Sequence, residues 1–216
     1  MPKGVLFDLD GTLLDSAPDF IASLDNLLTK HNKPKLDPEI IRSHVSDGSL
    51  KLTSLGFNID ISDNQCAILR DELLEEYESN LLKHGGTFDG IKEMLASLEQ
   101  DDIPYGIVTN KPFRFAKPIL MNEIAFKNCK TLICPDHLNA IKPDPEGILR
   151  GCKDLGLRPA ECIYVGDHEK DLEAGINAGT QVIACYFGYS LKASDHKEHI
   201  HGAHHPDELY ELILRL

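Results

Sequence analysis

Apolar residues change their spacing twice along the chain. Residues 4–9 (GVLFDL) form a short apolar run closed by Asp-Gly, the pattern of a buried strand followed by a turn. From there to residue 83 the spacing is helical. Residues 17–31 place Phe20, Ile21, Leu24, Leu27 and Leu28 on one face, with Ser16 as candidate N-cap and Pro18 in the first turn. Shorter helices are expected at 38–45 and at 49–55, the latter stopped by Gly56. Ser62 with Gln65 reads as a capping box before a long helix whose stripe is Cys66, Leu69, Leu73, Tyr77 and Leu81. After Gly85-Gly86, strands and helices alternate. Strands are expected at 105–109, 131–134, 162–165 and 181–185. Helices are expected at 91–99, 112–121 (bent or broken by Pro118), 145–155, 169–178 and 206–216.

Alternating strands and helices imply an α/β fold: a Rossmann-like parallel sheet with helices on both faces. The helical block, residues 16–83, is then an all-helical cap inserted into a core made of 1–15 and 84–216. Ligands of such a sheet bind beyond the carboxyl ends of its strands.

Composition narrows the class without deciding it. Apolar residues make up 42% of the 216 and charged residues 26%, enough for a sizeable core. A net charge of −13 with no basic run disfavours nucleic acid. No apolar run nears the ~20 residues that span a bilayer. Residues 1–7 do not read as a signal peptide. The six cysteines form no CxxC pair and read as reduced thiols, so a cytoplasmic protein is expected; monomer and homodimer both stay open.

Four polar features fall at expected strand ends: Asp8-Leu9-Asp10-Gly11-Thr12, Thr109-Asn110, Lys142 within IKPDP, and Gly166-Asp167 with Asp171. In one crevice, Asp8 and Asp167 make an oxygen site suited to Mg²⁺, which accepts few carboxylates and binds substrate phosphate. Lys142, the Thr109 hydroxyl and turn N–H groups supply positive charge and donors for a phosphoryl group. Asp8 can attack phosphorus. Asp10 can protonate the leaving oxygen and later activate water, and its carbonyl could reach the metal. Each motif alone also fits an ordinary turn or cap; together and in order they point to phosphoryl chemistry.

The set VLFDLDGTLLDS, IVTN, KPDPE and VGDHEKDLEAGINAG resembles the haloacid dehalogenase superfamily of phosphohydrolases. The resemblance covers essentially the whole chain, and its insert is similar to the cap of the phosphoglycolate phosphatase-like group. It implies Asp8 as nucleophile, Asp10 as general acid/base, and Thr109, Asn110 and Lys142 on the phosphate. It implies Asp8, Asp10 and Asp167 at the metal, and Asp171 supporting either the metal water or Lys142.

Three longer stretches, SAPDFIASLDNLL, TNKPFRFAKPIL and LICPDHLNAIKPDPEGILRGCKDLGL, are similar to the N-acetylmuramic acid 6-phosphate phosphatases of bacterial peptidoglycan recycling. The implied substrate is that small phosphorylated sugar, with 2-phosphoglycolate as the alternative. A phosphomutase of the same fold, a C–halogen hydrolase and a non-catalytic phosphate-binding regulator are the competing readings. The presence of both Asp8 and Asp10 argues against the last two.

The segment around Ser46, Asp47 and Gly48 is expected to close over the crevice, Gly48 letting backbone approach the ligand. Lys111 and Arg114 are expected to face a substrate carboxylate. His168 follows Asp167 and so could border the metal; an exposed loop position is the alternative. The tail HIHGAHH stands where the resembled family has a last short strand. With His196, His199, His201, His204 and His205, it is expected to be a solvated loop.

Overall fold

The computed structural model of the chain describes residues 2–195 and 200–216. It divides into two compact units: Met1–Leu14 with Thr87–Leu216, and Asp15–Gly86. The chain crosses between them on two short strands, β2 (Leu14–Asp15) and β3 (Gly86–Thr87), which pair as their own two-stranded sheet.

The first unit is built on a six-stranded, all-parallel sheet. Its strands are β1 (Gly4–Phe7), β4 (Tyr105–Val108), β5 (Leu132–Ile133), β6 (Cys162–Gly166), β7 (Gln181–Cys185) and β8 (His201–Ala203). They lie in the order β5-β4-β1-β6-β7-β8. Its helices are α5 (Ile91–Gln100), α6 (Phe113–Asn122), α7 (Glu146–Asp154), α8 (Glu169–Ala178) and α9 (Glu208–Arg215). Every residue of β1, β4 and β6 is buried, as strands covered on both faces must be. Leu6, Val108 and Tyr164 share one face and pack with Ile148 and Cys152 of α7 and Ala174 and Ala178 of α8. Across the sheet Phe7 meets Tyr105 edge to face at 6.2 Å. α6 runs through Pro118 as one helix.

The register brings three strand ends level. Phe7 is opposite Ile107 on one side and Val165 on the other. Asp8, Thr109 and Asp167 therefore leave the sheet within one residue of each other, on the three central strands. Strand order also reverses here, β4 and β5 lying to one side of β1 and β6 to β8 to the other.

β8 corrects the expectation of a solvated loop in the histidine-rich tail. His201–Ala203 pairs with Ile183–Cys185, with Ile200 and Ala203 buried and His201, His204 and His205 exposed. The strand is three residues long and its burial does not alternate, so only the pairing with β7 reveals it. His196 and His199 lie outside the described residues. Five of the six cysteines are buried, Cys129 is half-buried, and all are free thiols.

The second unit is a small helical bundle: α1 (Ala17–Lys30), α2 (Pro38–Arg42), α3 (Ser49–Phe57) and α4 (Asn64–Asn80). α4 packs on α1 and α3, and Phe20 stacks on Tyr77 at 3.9 Å. Two expected boundaries move. Gly56 does not stop α3, which runs to Asn58 in left-handed conformation; Gly56 lies instead against Leu24, where a Cβ would sit 3.0 Å from a methyl carbon. The N-cap of α4 is Asp63, which accepts from the Gln65 N–H at 2.8 Å, while Ser62 bonds to Asp60. Ser16 occupies the N-cap position of α1 without a capping side-chain bond.

Buried Asp19 ties the last loop of this bundle to α1. Its carboxylate accepts the N–H groups of Leu82 at 2.9 Å, His84 at 2.8 Å and Gly85 at 3.1 Å. Asp19→Ala would strand these donors. It is expected to cost about 2–4 kcal/mol, from ~1–3 kcal/mol per unsatisfied buried group, the donors being only partly buried. Urea unfolding checks this; a loss below about 0.5 kcal/mol would remove Asp19 from that role. Asp19→Asn, keeping an acceptor, is expected to lose less.

Candidate active site

The four motifs meet at the carboxyl ends of β1, β4 and β6, and a buried lysine joins them. Lys142 Nζ lies 2.9 Å from Asp8 Oδ1 and 2.6 Å from Asp171 Oδ1, and donates to the Tyr164 hydroxyl at 2.8 Å. Tyr164 in turn donates to the Val108 carbonyl at 2.9 Å, so its lone pairs are left to face the ammonium. Burial and the charges of Asp171 and Asp8 raise the Tyr164 pKa well above its ordinary value, which keeps that proton in place.

Each member is held from its own element. Asp8 leaves β1 with its N–H on the Val165 carbonyl at 2.8 Å. Asp171 sits in the first turn of α8, where its Oδ2 accepts the His168 N–H at 3.0 Å. Asp167 Oδ2 accepts the Tyr189 N–H at 2.8 Å, and its carbonyl accepts the Leu191 N–H at 2.9 Å. Gly11, at φ +80°, passes so close that a Cβ there would overlap the Asp167 carboxylate. No other residue fits that position.

Burial works against the charge on Lys142, but Asp171 and Asp8 outweigh it and raise its pKa. Burial pushes the Asp8 carboxyl up to about 6, with Lys142 pulling the other way. Asp167 is driven well above the usual carboxylate range by burial, then by the charges of Asp171 and Asp8. Oxygens of Asp8, Asp167 and Asp171 lie within 4.8 Å of one another. When all are ionised, Asp8, Asp10, Asp167 and Asp171 carry four negative charges against the two positive charges of Lys111 and Lys142, a surplus that a divalent cation would balance. The donor set is all oxygen. The residues present therefore fit a hard divalent ion.

Some expected residues stand elsewhere. Lys111 does not face outward: it is buried, and its Nζ spans both oxygens of Asp10 at 2.9 and 3.1 Å. Its N–H donates to Thr109 Oγ1 at 3.1 Å. Asn110 spends its amide on the backbone of Lys142, donating to the carbonyl and accepting the N–H, both at 3.1 Å. That pair of bonds fixes the loop carrying Lys142. Arg114 is exposed on α6, its guanidinium 4.4 Å from the Phe115 ring centre, and the structure does not bring it into the cluster. Gly48 belongs to the helical unit, at φ +99° before α3. His168 caps α8, its ring accepting the Lys170 N–H at 3.1 Å. Tyr164 and Tyr189 were missed by sequence reasoning. Tyr164 lay inside an apolar strand, and Tyr189 acts through its backbone, which leaves no side-chain signal.

Curated relatives match the chain over most of its length. The chain is 38% identical over 217 residues to an N-acetylmuramic acid 6-phosphate phosphatase of Pseudomonas aeruginosa, covering 99% of this chain and 95% of that one. It is 38% identical over 195 residues to a phosphoglycolate phosphatase of Xanthomonas campestris, covering 90% and 87%. A haloacid dehalogenase-like hydrolase structure from Streptococcus pneumoniae superposes with a TM-score of 0.82, covering 98% of both chains at 20% identity, a likeness of fold. Among the described residues no helix is long and apolar enough to cross a membrane. The family model for haloacid dehalogenase-like hydrolases matches residues 5–185, from β1 with Asp8 to the end of β7 past Asp171, and the chain belongs to that family.

Proposed function

We propose that the chain is a Mg²⁺-dependent phosphomonoesterase working through an aspartyl-phosphate. The observation that carries this is Lys142, buried between Asp8 and Asp171 beside Asp167 where three strands end. A carboxylate in such a place is charge-balanced and fixed, as a nucleophile toward phosphorus must be. Mg²⁺ would be held by Asp8 and Asp167 with the Asp10 carbonyl, and when bound would supply positive charge to the phosphoryl oxygens.

The protein's own groups perform the steps. Lys142 offsets the charge of Asp8 as the phosphate dianion approaches. Thr109 Oγ1 accepts from Lys111, so its O–H is left to donate to a phosphoryl oxygen. Asp8 attacks phosphorus, the P–O bond to the leaving group breaks, and Asp10 gives that oxygen a proton. Asp10 then takes a proton from water as the water attacks phosphorus, which frees Asp8 and inorganic phosphate. Asp171, with one oxygen on Lys142 and the other on the His168 N–H, serves the lysine.

These groups recognise only the phosphoryl end, so selectivity falls to residues outside the four motifs. We assign N-acetylmuramic acid 6-phosphate as substrate, supported by the 38% identity with the Pseudomonas enzyme over nearly the whole of both chains. Gly48 of the helical unit and Arg114 of α6 are the candidates for contact with the rest of the molecule. The Xanthomonas relative supports 2-phosphoglycolate as the second reading.

Asp8→Asn is expected to lower kcat by about 10³-fold or more while preserving the thermal transition, since a near-isosteric amide is a poor nucleophile. Substantial turnover by the pure variant would remove Asp8 from its role. Activity is expected to vanish in EDTA and return with Mg²⁺, with Ca²⁺ a poor substitute because it takes more ligands at longer distances. Full activity with metal absence verified would overturn the metal assignment. For the substrate, kcat/KM is compared among N-acetylmuramic acid 6-phosphate, N-acetylglucosamine 6-phosphate and 2-phosphoglycolate. The first is expected to be preferred by about tenfold or more over each of the others. A preference for 2-phosphoglycolate would replace the sugar assignment and leave the reaction standing. Equal rates on the two sugars would remove only the carboxylate contact of Arg114.

A further inference from the structure

We infer that Lys111 is a positioning residue for Asp10, acting on the reaction through that carboxylate and making no contact with substrate. This rests on the phosphatase reading and deepens it.

The local fold makes Lys111 reach inward. β4 ends at Val108, and the Thr109 N–H bonds to the Ile133 carbonyl at 3.0 Å. Thr109 Oγ1 then accepts the Lys111 N–H, a turn that bends the chain back toward β1. From there the ammonium lies across both Asp10 oxygens at 2.9 and 3.1 Å. The Lys111 side chain is 4% exposed and that of Asp10 16%. A surface lysine meeting a substrate carboxylate would have its head in solvent; this one has its head on a carboxylate of the reaction centre.

Asp10 needs such a partner for two reasons. It sits two residues beyond Asp8, just past the end of β1, close enough for its charge to act on the Asp8 carboxyl, where a second unpaired charge is costly. It must also offer one oxygen to the leaving group and then to water with a settled direction. A carboxylate turns freely about its last torsion unless both oxygens are engaged. A single ammonium across both oxygens stops that rotation. The pair joins the ends of β1 and β4 as Lys142 joins those of β1 and β6.

The test is a double-mutant cycle of Asp10→Asn and Lys111→Met on the Mg²⁺-loaded protein, with an alkyl phosphate and with p-nitrophenyl phosphate. The latter has a good leaving group and keeps the Asp10→Asn variants measurable. Lys111→Met alone is expected to lower kcat about 10–100-fold with KM changed by less than about threefold, and Lys111→Arg to recover most of it. In the Asp10→Asn background the further change is expected to be under about twofold, because the partner is already lost. Calorimetry with inorganic phosphate should give the same affinity for Asp10→Asn with and without Lys111→Met. A rise in KM with kcat retained, an equal loss in both backgrounds, or weakened phosphate binding would overturn the inference by making Lys111 a substrate contact. Should Lys111→Met not fold, Lys111→Gln runs the same cycle. Wild-type protein that hydrolyses no phosphomonoester would instead overturn the phosphatase reading, and this inference with it.

Discussion

A buried ammonium that must find acceptors on every side organises the first unit. Lys142 meets Asp8 from β1, Asp171 from α8 and Tyr164 from β6 at 2.9, 2.6 and 2.8 Å. Without it, Asp8, Asp167 and Asp171 would be three carboxylates in a space where burial alone drives protonation. Without them, the lysine would be an unpaired charge in the core, which proteins do not tolerate. The neighbouring loops settle the remaining freedom. Asn110 pins the Lys142 backbone through two hydrogen bonds, the Val108 carbonyl turns the Tyr164 hydroxyl, and the His168 N–H turns Asp171. Cation and anions are each held by a different element, so the cluster forms only when the whole sheet does.

This dependence explains the position of β1. A strand with a neighbour on each side can share its end with two loops at once. Level pairing of Phe7 with Ile107 and with Val165 delivers Thr109 and Asp167 beside Asp8. The crossing of the chain from β5 to β6 then carries Lys142 over that same end. The order in which the motifs occur in the chain is thus the order in which the sheet is wound.

Much of this was legible because it is local. The apolar runs, the glycine after α8 and the polar residues at run ends named the parallel sheet and placed Asp8, Asp10, Lys142, Asp167 and Asp171. What escaped was non-local or too short to show a period. Lys111 finds Asp10 across 101 positions, and no spacing rule reports such a pair. Asn110 seemed available to a ligand, but its amide had been taken by the chain 32 residues on. β8 is three residues long with no period-2 alternation, and its centre is Gly202, against which the Tyr186 ring packs. Composition suggested a loop, and pairing with β7 prevailed. Gly56 was misjudged for the related reason that a glycine can serve helix packing as well as helix termination.

The same distinction separates what the reaction needs from what the substrate needs. The insert Asp15–Gly86 leaves the chain five residues after Asp10 and has a core of its own, with the stacked Phe20 and Tyr77 and the loop tied to Asp19. Its exposed positions can therefore vary while its fold and the carboxylate–lysine cluster persist, because none of the bonds that assemble that cluster described above is made by its residues. The cluster is intolerant for the opposite reason: each of its side chains satisfies another, so a change at one leaves a buried charge at the next. Reaction chemistry is consequently written in a few short motifs with fixed spacing, whereas the choice of phosphorylated molecule is written in surfaces with no such constraint. Relatives with the same core can then act on an amino-sugar acid phosphate or on a two-carbon acid phosphate.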